Sequence, residues 1–468
     1  MSDSIGIVIL AAGKGTRMKI TTPKALTHAL GKPLLDYVVE ASLSFASSSK
    51  LNAELGVVIG HGKELLETWH ANHSSKTFIK LAWQREQKGT ADALKSCFSD
   101  LPHFWNHEYT LVACADTPLI SAEEFSLLFK ELTSHPDLVG VAATFEAHNP
   151  TGYGRIVRGN EGFRIIEEKD ADQIQKGIKE VNSGFYILRT SHVKAVLTTI
   201  SNDNKAGEFY LTDLFKEEFA VKPVIFPSED PFLGINTLVQ LAEVSGKLRK
   251  KKLEELMLSG VQILDPQNCY VESGVSVGIQ SILYPGVTLL GKTKIGERSI
   301  IESNCFIKNT QIGNDVQVLA SSHLEDSSVH DQASVGPMAR LRPGSEIGEK
   351  AKVGNFVEVK KSILKAGVKV SHLSYIGDAE IGEDTNIGCG FITCNYDGAQ
   401  KHKTKIGKNS FIGSDCQAIA PISIGDNSFV AAGTTITKDV PAEGFAISRP
   451  EIAVKEGMAK RFLKSKKT

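Results

Sequence analysis

Between Val271 and Ile436 a small or medium apolar residue returns every six positions. Val271, Val277, Leu283, Leu289, Ile295, Ile301 and Ile307 form the first run, and after a five-residue step Ile312, Val318 and Leu324 continue it. The same spacing carries on from Val329 to Val359, Leu364 to Ile376 and Ile381 to Thr393. Past an interruption it resumes from Ile406 to Ile436. Six matches neither the 3.6-residue period of a helix nor the alternation of a simple strand. It is the period of a hexapeptide β-helix, in which three short strands make a coil and the repeated aliphatic points inward. Evenly spaced hairpins are the competing reading, and the number of in-phase positions weighs against them. Gly follows the inward residue at Ile295-Gly296, Ile347-Gly348, Val353-Gly354, Ile381-Gly382 and Ile412-Gly413. These glycines are expected to supply an unusual φ at the turns. Tyr396 to Thr404 breaks the period, as a functional loop thrown off one face of a solenoid would.

The first 230 residues have a different grammar. Residues 5–12 (IGIVILAA) are continuously apolar, as a strand buried on both faces of a parallel sheet must be. LGVVIG (55–60) and YTLVACAD (109–116) fit the same description, and Leu34 to Phe45 and Ala91 to Phe98 read as helices between strands. Strand–helix alternation predicts a Rossmann-like α/β domain with a mostly parallel sheet, whose ligands sit beyond the carboxyl ends of the strands. Thr237 to Ser259 reads as a helix with Leu238, Leu241, Val244 and Leu248 on one stripe and Arg249 to Lys252 on the polar side; Gly260 ends it. Such a helix is about 35 Å long, enough to space two domains. The expected organisation is 1–236, a linker helix 237–260, a β-helix 261–454, and a basic, non-periodic, mobile tail 455–468.

Composition narrows the function classes. A net charge of −1 gives no global attraction to nucleic acid or anionic membrane, so any basic site must be local. The 7 cysteines are odd in number and lack Cys-x-x-Cys spacing, which argues against a disulfide framework and a structural zinc site. Ile5 to Ala12 has no basic leader and runs into Gly-Lys-Gly-Thr-Arg, so it is not read as a signal peptide. No run approaches membrane-spanning length, and a cytoplasmic protein is expected.

Leu10-Ala11-Ala12-Gly13-Lys14-Gly15-Thr16-Arg17-Met18 follows the first strand, with Pro23-Lys24 just downstream. Small residues let backbone N–H groups approach an anion, and Lys14, Arg17 and Lys24 can neutralise a polyphosphate. The spacing is neither that of a P-loop nor that of a dinucleotide fingerprint. LAAGKGTRM with its downstream PK resembles the opening motif of the sugar-1-phosphate nucleotidyltransferases. QREQKGTADA (84–93), ADTPL (115–119), NPTGYGRI (149–156), IEEKDA (166–171), VNSGFY (181–186), GEFYLTD (207–213) and GIN (234–236) narrow it. With GPMARLRPG, VGNFVEVKK, HLSYIGDAEIG and TCNYDG in the hexapeptide region, residues 5 to about 456 closely resemble the bacterial GlmU family. That family joins an N-acetylglucosamine-1-phosphate uridyltransferase to a glucosamine-1-phosphate acetyltransferase on a left-handed parallel β-helix.

The resemblance implies two sites. In the first, Asp116 and Asn236 hold Mg2+, while Arg17 and Lys24 stabilise charge on the α-phosphate of UTP as pyrophosphate leaves. Leu10, Ala11, Gly13, Gln84, Gln87, Gly89 and Thr90 match nucleotide contacts, the two amides suiting a base edge, and Gly154, Glu167 and Asn182 match sugar contacts. Ala115 stands where the family usually has Gly, so its methyl crowds the nucleotide; Cys114 stands at a position often aromatic. In the second site, Arg342, Lys360, Tyr375 and Asn386 bind glucosamine-1-phosphate, the two cations on its phosphate. His372 is the general base toward the sugar amine, a role that suits a side chain titrating near neutrality. Asn395 and Tyr396 meet substrate or the oxyanion and, with Cys389, Ser414, Ala432 and Arg449, acetyl-CoA. Cys389 replaces the family's Ala.

The family is homotrimeric, with acetyltransferase sites between subunits, and feeds the synthesis of bacterial cell-wall peptidoglycan and lipopolysaccharide. Two other readings remain at this point. One is a single-activity nucleotidyltransferase with a regulatory β-helix, as in ADP-glucose pyrophosphorylases. The other is a non-catalytic nucleotide-exchange scaffold of the same architecture.

Overall fold

A computed structural model describes residues 3–159, 162–449 and 451–463. The chain forms two compact units, Met1–Leu248 and Arg249–Thr468.

The first unit is built on a nine-stranded sheet. Its strands are β1 (Ser4–Leu10), β2 (Asn52–Ile59), β3 (Ile79–Trp83), β4 (Tyr109–Cys114), β5 (Gly140–Glu146), β6 (Arg155–Arg158), β7 (Phe163–Ile166), β8 (Glu180–Arg189) and β9 (Val221–Phe226). They run in the order β9-β5-β8-β4-β1-β2-β3, with the hairpin β6–β7 attached to β8. Pairing is parallel from β4 through β1 and β2 to β3 and from β9 to β5, while β8 runs antiparallel to both neighbours. The sheet is therefore mostly parallel, with two reversed strands, β8 and the hairpin strand β7. β1 is apolar on both faces because each face has its own cover. Ile5, Ile7 and Ile9 pack in one core with residues of α1 (Leu34–Ser48) and α3 (Ala122–Ser134). Val8 packs in another core with residues of α2 (Thr90–Asp100).

The second unit is a parallel β-helix. Three sheets of 11, 10 and 9 two- to four-residue strands form its faces, and every pairing within them is parallel. The inward positions of the six-residue ladder from Val271 to Ile436 are at most 9% exposed, so the period reports the core directly. Hydroxyls join the aliphatics inside. Ser345 Oγ, for example, donates to the Arg342 carbonyl at 2.7 Å and to the Val359 carbonyl of the next coil at 2.9 Å. That satisfies a buried polar group without breaking the stack.

The turn glycines do not behave as expected. Gly296, Gly348, Gly354, Gly382 and Gly413 lie outside the positive-φ region. They are needed because successive coils approach backbone to backbone: a Cβ on Gly348 would lie 2.6 Å from the Lys365 carbonyl carbon, and one on Gly296 would lie 2.5 Å from the Gly313 oxygen. The left-handed corners fall largely to other residues, among them Asn304 (φ 61), Asp315 (φ 56), Asp384 (φ 54) and Asn427 (φ 55). Asn and Asp tolerate that conformation best among side-chain-bearing residues.

α4 (Leu238–Leu258) occupies the expected helical stretch. Val244 and Leu248 pack with Met18, Leu30 and Ile235, whereas Leu253 and Leu256 belong to the β-helix core. Leu238 lies outside the buried stripe, 53% exposed. In the C-terminal stretch Met458–Arg461 forms a single 3-10 turn, and the expected mobile tail beyond 463 lies outside the described residues. Among the described residues no helix is long and apolar enough to cross a membrane.

Candidate active sites

The first site lies at the carboxyl ends of β1 and β4. A cleft of about 490 Å3 is lined there by the Leu10–Thr16 loop, Lys24, Gln84, Gln87, Gly89, Thr90, Cys114, Ala115 and Asp116. The loop needs its glycine at 15, which has φ +60 and whose Cβ would meet Lys24 Cβ at 2.8 Å. Lys24 is thus packed against the backbone of the Leu10–Thr16 loop. Its ammonium donates to Asp116 Oδ2 and, at 2.8 Å, to Asn236 Oδ1; Arg17 donates to the same Asn236 oxygen at 2.8 Å. Lys24 and Asp116 are largely buried, with side chains 15% and 23% exposed. Asn236 is set by the start of α4: its N–H donates to Gln240 Oε1 at 2.8 Å, while the Gln240 N–H donates to Thr237 Oγ1 at 3.2 Å. Four sequence-separated groups, Arg17, Lys24, Asp116 and Asn236, therefore meet.

The residues expected to contact a nucleotide are braced by the fold. Gln84 is buried, and its amide nitrogen donates to the Gly89 carbonyl (3.0 Å) and Asp92 (2.8 Å). Gln87 donates to the Gln84 carbonyl at 3.4 Å, and Thr90 Oγ1 accepts from the Leu211 N–H at 3.0 Å. Ala115 is 3% exposed and belongs to the core beneath β1 while lining the cleft, so its methyl packs largely inward. Burial pushes the Cys114 thiol up to about 12, with the Asp116 charge adding to the effect, so this group stays protonated at neutral pH.

Gly154, Glu167 and Asn182 are not among the residues lining this cleft but adjoin it, since Gly184, whose N–H donates to Asn182 Oδ1, accepts from Cys114 of the cleft through its carbonyl. They are linked through β6–β8: the Asn182 N–H donates to the Gly154 carbonyl at 2.9 Å. An irregularity in the β8 register between Asn182 and Tyr186 turns the Asn182 side chain to Tyr186 Oη (2.7 Å) and the Gly184 N–H (3.1 Å). Burial holds the Glu167 carboxyl above the usual range, and the Thr212 hydroxyl, donating at 3.3 Å, opposes that shift. The sequence reading missed Glu208, which lines the cleft; it sits in the GEFYLTD segment, but nothing in its spacing marks it.

The second site follows the β-helix register. His372 ends the strand Lys369–His372 and stands beside Asn355 of the strand Lys352–Asn355 in the previous coil. Val370 pairs with Ile387, Ile387 with Ile412 and Ile412 with Val430. Counting two residues onward from each puts His372, Cys389, Ser414 and Ala432 in one column on four successive coils. Below them Arg449 Nε donates to the Ala432 carbonyl at 3.1 Å. Ser414, Ala432 and Arg449 line a groove of about 440 Å3 with Phe411, Phe429 and Phe445. Those three rings stack with centroids 4.9 and 5.7 Å apart, and the sequence reading did not single them out. Asn386 belongs to the same column of outward side chains, pairing with Phe411.

Around the corner lie Arg342, Lys360 and Tyr375, the residues expected to bind glucosamine-1-phosphate. Arg342 Nη1 donates to Glu358 Oε1 at 2.9 Å, and Lys360 Nζ stands 3.9 Å from Asp378 Oδ2. Asn395 donates to the same Asp378 oxygen at 2.5 Å. Tyr375 folds its ring over Gly377, where a Cβ would meet the phenol oxygen at 2.5 Å. The loop between Ile392–Cys394 and Thr404–Ile406 leaves the solenoid as expected. Tyr396 in it is 60% exposed, and its hydroxyl donates to the Gly398 carbonyl at 2.6 Å. Asp397 caps the Ala399 and Gln400 N–H groups and contacts His402 at 2.6 Å, so its carboxyl is held well below the ordinary range, by the Gln400 N–H first. The Lys401 amine is held below its ordinary range, first by its hydrogen-bonding contact with Lys360 and then by the like charge of that group. Glu358, Asp378, Asn355 and Lys401 were not singled out from sequence; the first three become legible once the 17-residue coil is counted.

The comparisons agree with this two-part construction. A MobA-like NTP transferase domain matches residues 7–180, and a hexapeptide repeat of succinyl-transferase matches residues 403–438. The Bifunctional protein GlmU of Geotalea uraniireducens is 41% identical over 461 residues, covering 97% of this chain and 98% of that protein. Those of Pelobacter propionicus (40% over 468 residues, 99% of each) and Staphylococcus haemolyticus (42% over 461 residues, 97% and 99%) are equally similar. At this identity over nearly its whole length, the chain belongs to the GlmU family of bifunctional proteins.

Proposed function

We propose that this chain makes UDP-N-acetylglucosamine in two steps at two separate sites. The β-helix unit moves an acetyl group from acetyl-CoA to glucosamine-1-phosphate. The α/β unit couples the product to UTP and releases pyrophosphate. The observation that carries the reading is the full-length family membership, with both residue sets present on the unit each requires.

In the α/β unit, Lys24 and Arg17 supply positive charge where the α-phosphate of UTP meets the attacking sugar phosphate, and the loop from Leu10 cradles the phosphates. Asp116 and Asn236 fit Mg2+, because oxygens of both already converge on one cationic atom, Lys24 Nζ. Two protein oxygens, with phosphate and water making up the rest, suit an ion that dehydrates reluctantly. When bound, Mg2+ would offset the repulsion between two phosphorylated substrates. Gln84, Gln87, Gly89 and Thr90 bind the nucleotide; Gly154, Glu167 and Asn182 bind the sugar.

In the β-helix unit, Arg342 and Lys360 take the phosphate of glucosamine-1-phosphate, with Tyr375 and Asn386 on the sugar. His372 accepts a proton from the amine as it attacks the thioester. Cys389, Ser414, Ala432 and Arg449 run as a track for acetyl-CoA, and Asn395 and Tyr396 close over the reacting carbonyl. The assembly is a homotrimer with these sites between subunits, acting in the cytoplasm. The working boundaries are 1–236, 237–260, 261–454 and 455–468.

A coupled assay with glucosamine-1-phosphate, acetyl-CoA, UTP and Mg2+, following free CoA and pyrophosphate separately, tests the reading. Both products are expected. Pyrophosphate only from N-acetylglucosamine-1-phosphate, with no CoA release, would reduce the β-helix to a scaffold.

A further inference from the structure

We infer that Asn355 is a positioning residue for acetyl transfer, fixing which nitrogen of His372 is the base. The inference rests on the reading of His372 as general base. Asn355 Oδ1 lies 2.7 Å from His372 Nδ1. An amide oxygen only accepts, so this contact requires a proton on Nδ1 and leaves the lone pair on Nε2. The contact is built into the fold. Asn355 and His372 are partners in the parallel ladder, and the Leu373 N–H donates to the Asn355 carbonyl at 3.0 Å. The ring is exposed, so without a partner it would rotate and exchange tautomers freely.

The chemistry explains why the partner is an amide. A base for an amine nucleophile must be neutral before the reaction begins. A carboxylate at this distance would favour the imidazolium, whereas an amide orients the ring without adding charge. The titratable side chains around this corner are Lys352, Glu358 and Lys360 on the preceding coil, Lys369 and Tyr375 on the same coil, and Cys389, just past the strand Asn386–Ile387, on the following one. In the step itself the amine nitrogen bonds to the acetyl carbon and the carbon–sulfur bond breaks. The sulfur keeps the bonding electrons, and the amine proton passes to Nε2 and then to the departing thiolate. Nδ1 keeps its proton against Asn355 throughout.

The test uses full-length Asn355→Ala, Asn355→Asp and His372→Ala proteins. Asn355→Ala is expected to lower kcat for acetyl transfer about 10- to 100-fold, the usual cost of losing an orienting partner, with KM for both substrates within about twofold. Asn355→Asp is expected to move the acid limb of the kcat/KM–pH profile upward by about one unit or more. Nitrogen-15 NMR of the His372 ring in the parent protein should show the Nδ1–H form. Hydrogen exchange across the β-helix coils, measured on the same samples, reports whether each variant is folded. A Nε2–H ring in the parent, or an unmoved acid limb in Asn355→Asp with Asn355→Ala within twofold of the parent kcat, would overturn the positioning role. Full acetyl transfer by His372→Ala would instead overturn the base reading beneath it.

Discussion

The two units solve the problem of placing charged side chains in opposite ways. In the α/β unit the site is closed by hydrogen bonds between residues 92, 212 and 219 positions apart, each delivered by a different loop or strand end. In the β-helix unit the corresponding contacts span 16 or 17 positions, from Arg342 to Glu358, Asn355 to His372 and Asp378 to Asn395. One site depends on the whole sheet being in place. The other depends only on neighbouring coils holding register. Rigid elements position functional groups better than free loops do, and the β-helix takes that principle to its limit by using the same backbone step repeatedly.

If the sites are as separate as this contrast implies, single substitutions should silence one activity and spare the other. The largest expected effect is His372→Ala, which should cut acetyl transfer about 10²- to 10⁴-fold and leave pyrophosphate release from N-acetylglucosamine-1-phosphate unchanged. Initial rates of the two half-reactions check it. Lys24→Ala should do the reverse, lowering uridyl transfer about 10²- to 10³-fold with CoA release intact. Loss of both activities in either variant would mean that the units are not independent.

A third substitution probes the register itself. Gly348→Ala places a methyl against the Lys365 backbone and should destabilise the β-helix by about 1–3 kcal/mol. Hydrogen exchange should speed up in the coils on either side, whereas Gly13→Ala, with open space around it, should leave exchange in the α/β unit unchanged. The smallest effect concerns pH. The folded-state pKa of Glu167 is raised, by burial above all, so folding binds its proton more tightly. Its contribution is therefore fully present below the ordinary carboxylate pKa and is lost as pH rises through the folded value. Glu167→Gln should flatten that part of the stability–pH curve of the α/β unit, as read from denaturant midpoints across the acid range.

The same contrast decides how much was legible in the sequence. The β-helix core could be read residue by residue because each coil repeats the same demand for one aliphatic. Even Asn355 could have been found, since it lies one 17-residue coil before His372. The reason for the turn glycines was misread: the period shows where a small residue is needed, but only three dimensions show that a neighbouring backbone excludes the Cβ. In the α/β unit, strands and helices followed from hydrophobic runs. The meeting of Lys24, Asp116 and Asn236 did not, because nothing local in a chain encodes which loops a sheet order brings together. There the family motifs supplied what periodicity could not.

The stacking of His372, Cys389, Ser414 and Ala432 has a consequence for how such a protein can change. Neighbouring strands sit about 4.8 Å apart, so positions along the column come in rungs, like marks on a ruler. Lengthening the chain between rungs, as residues 395–403 do, leaves the marks where they were. Adding or removing a whole coil shifts every mark beyond it by one unit. Selection can therefore reshape the loop's side of the solenoid gradually, but it can alter the length of the column only in whole steps.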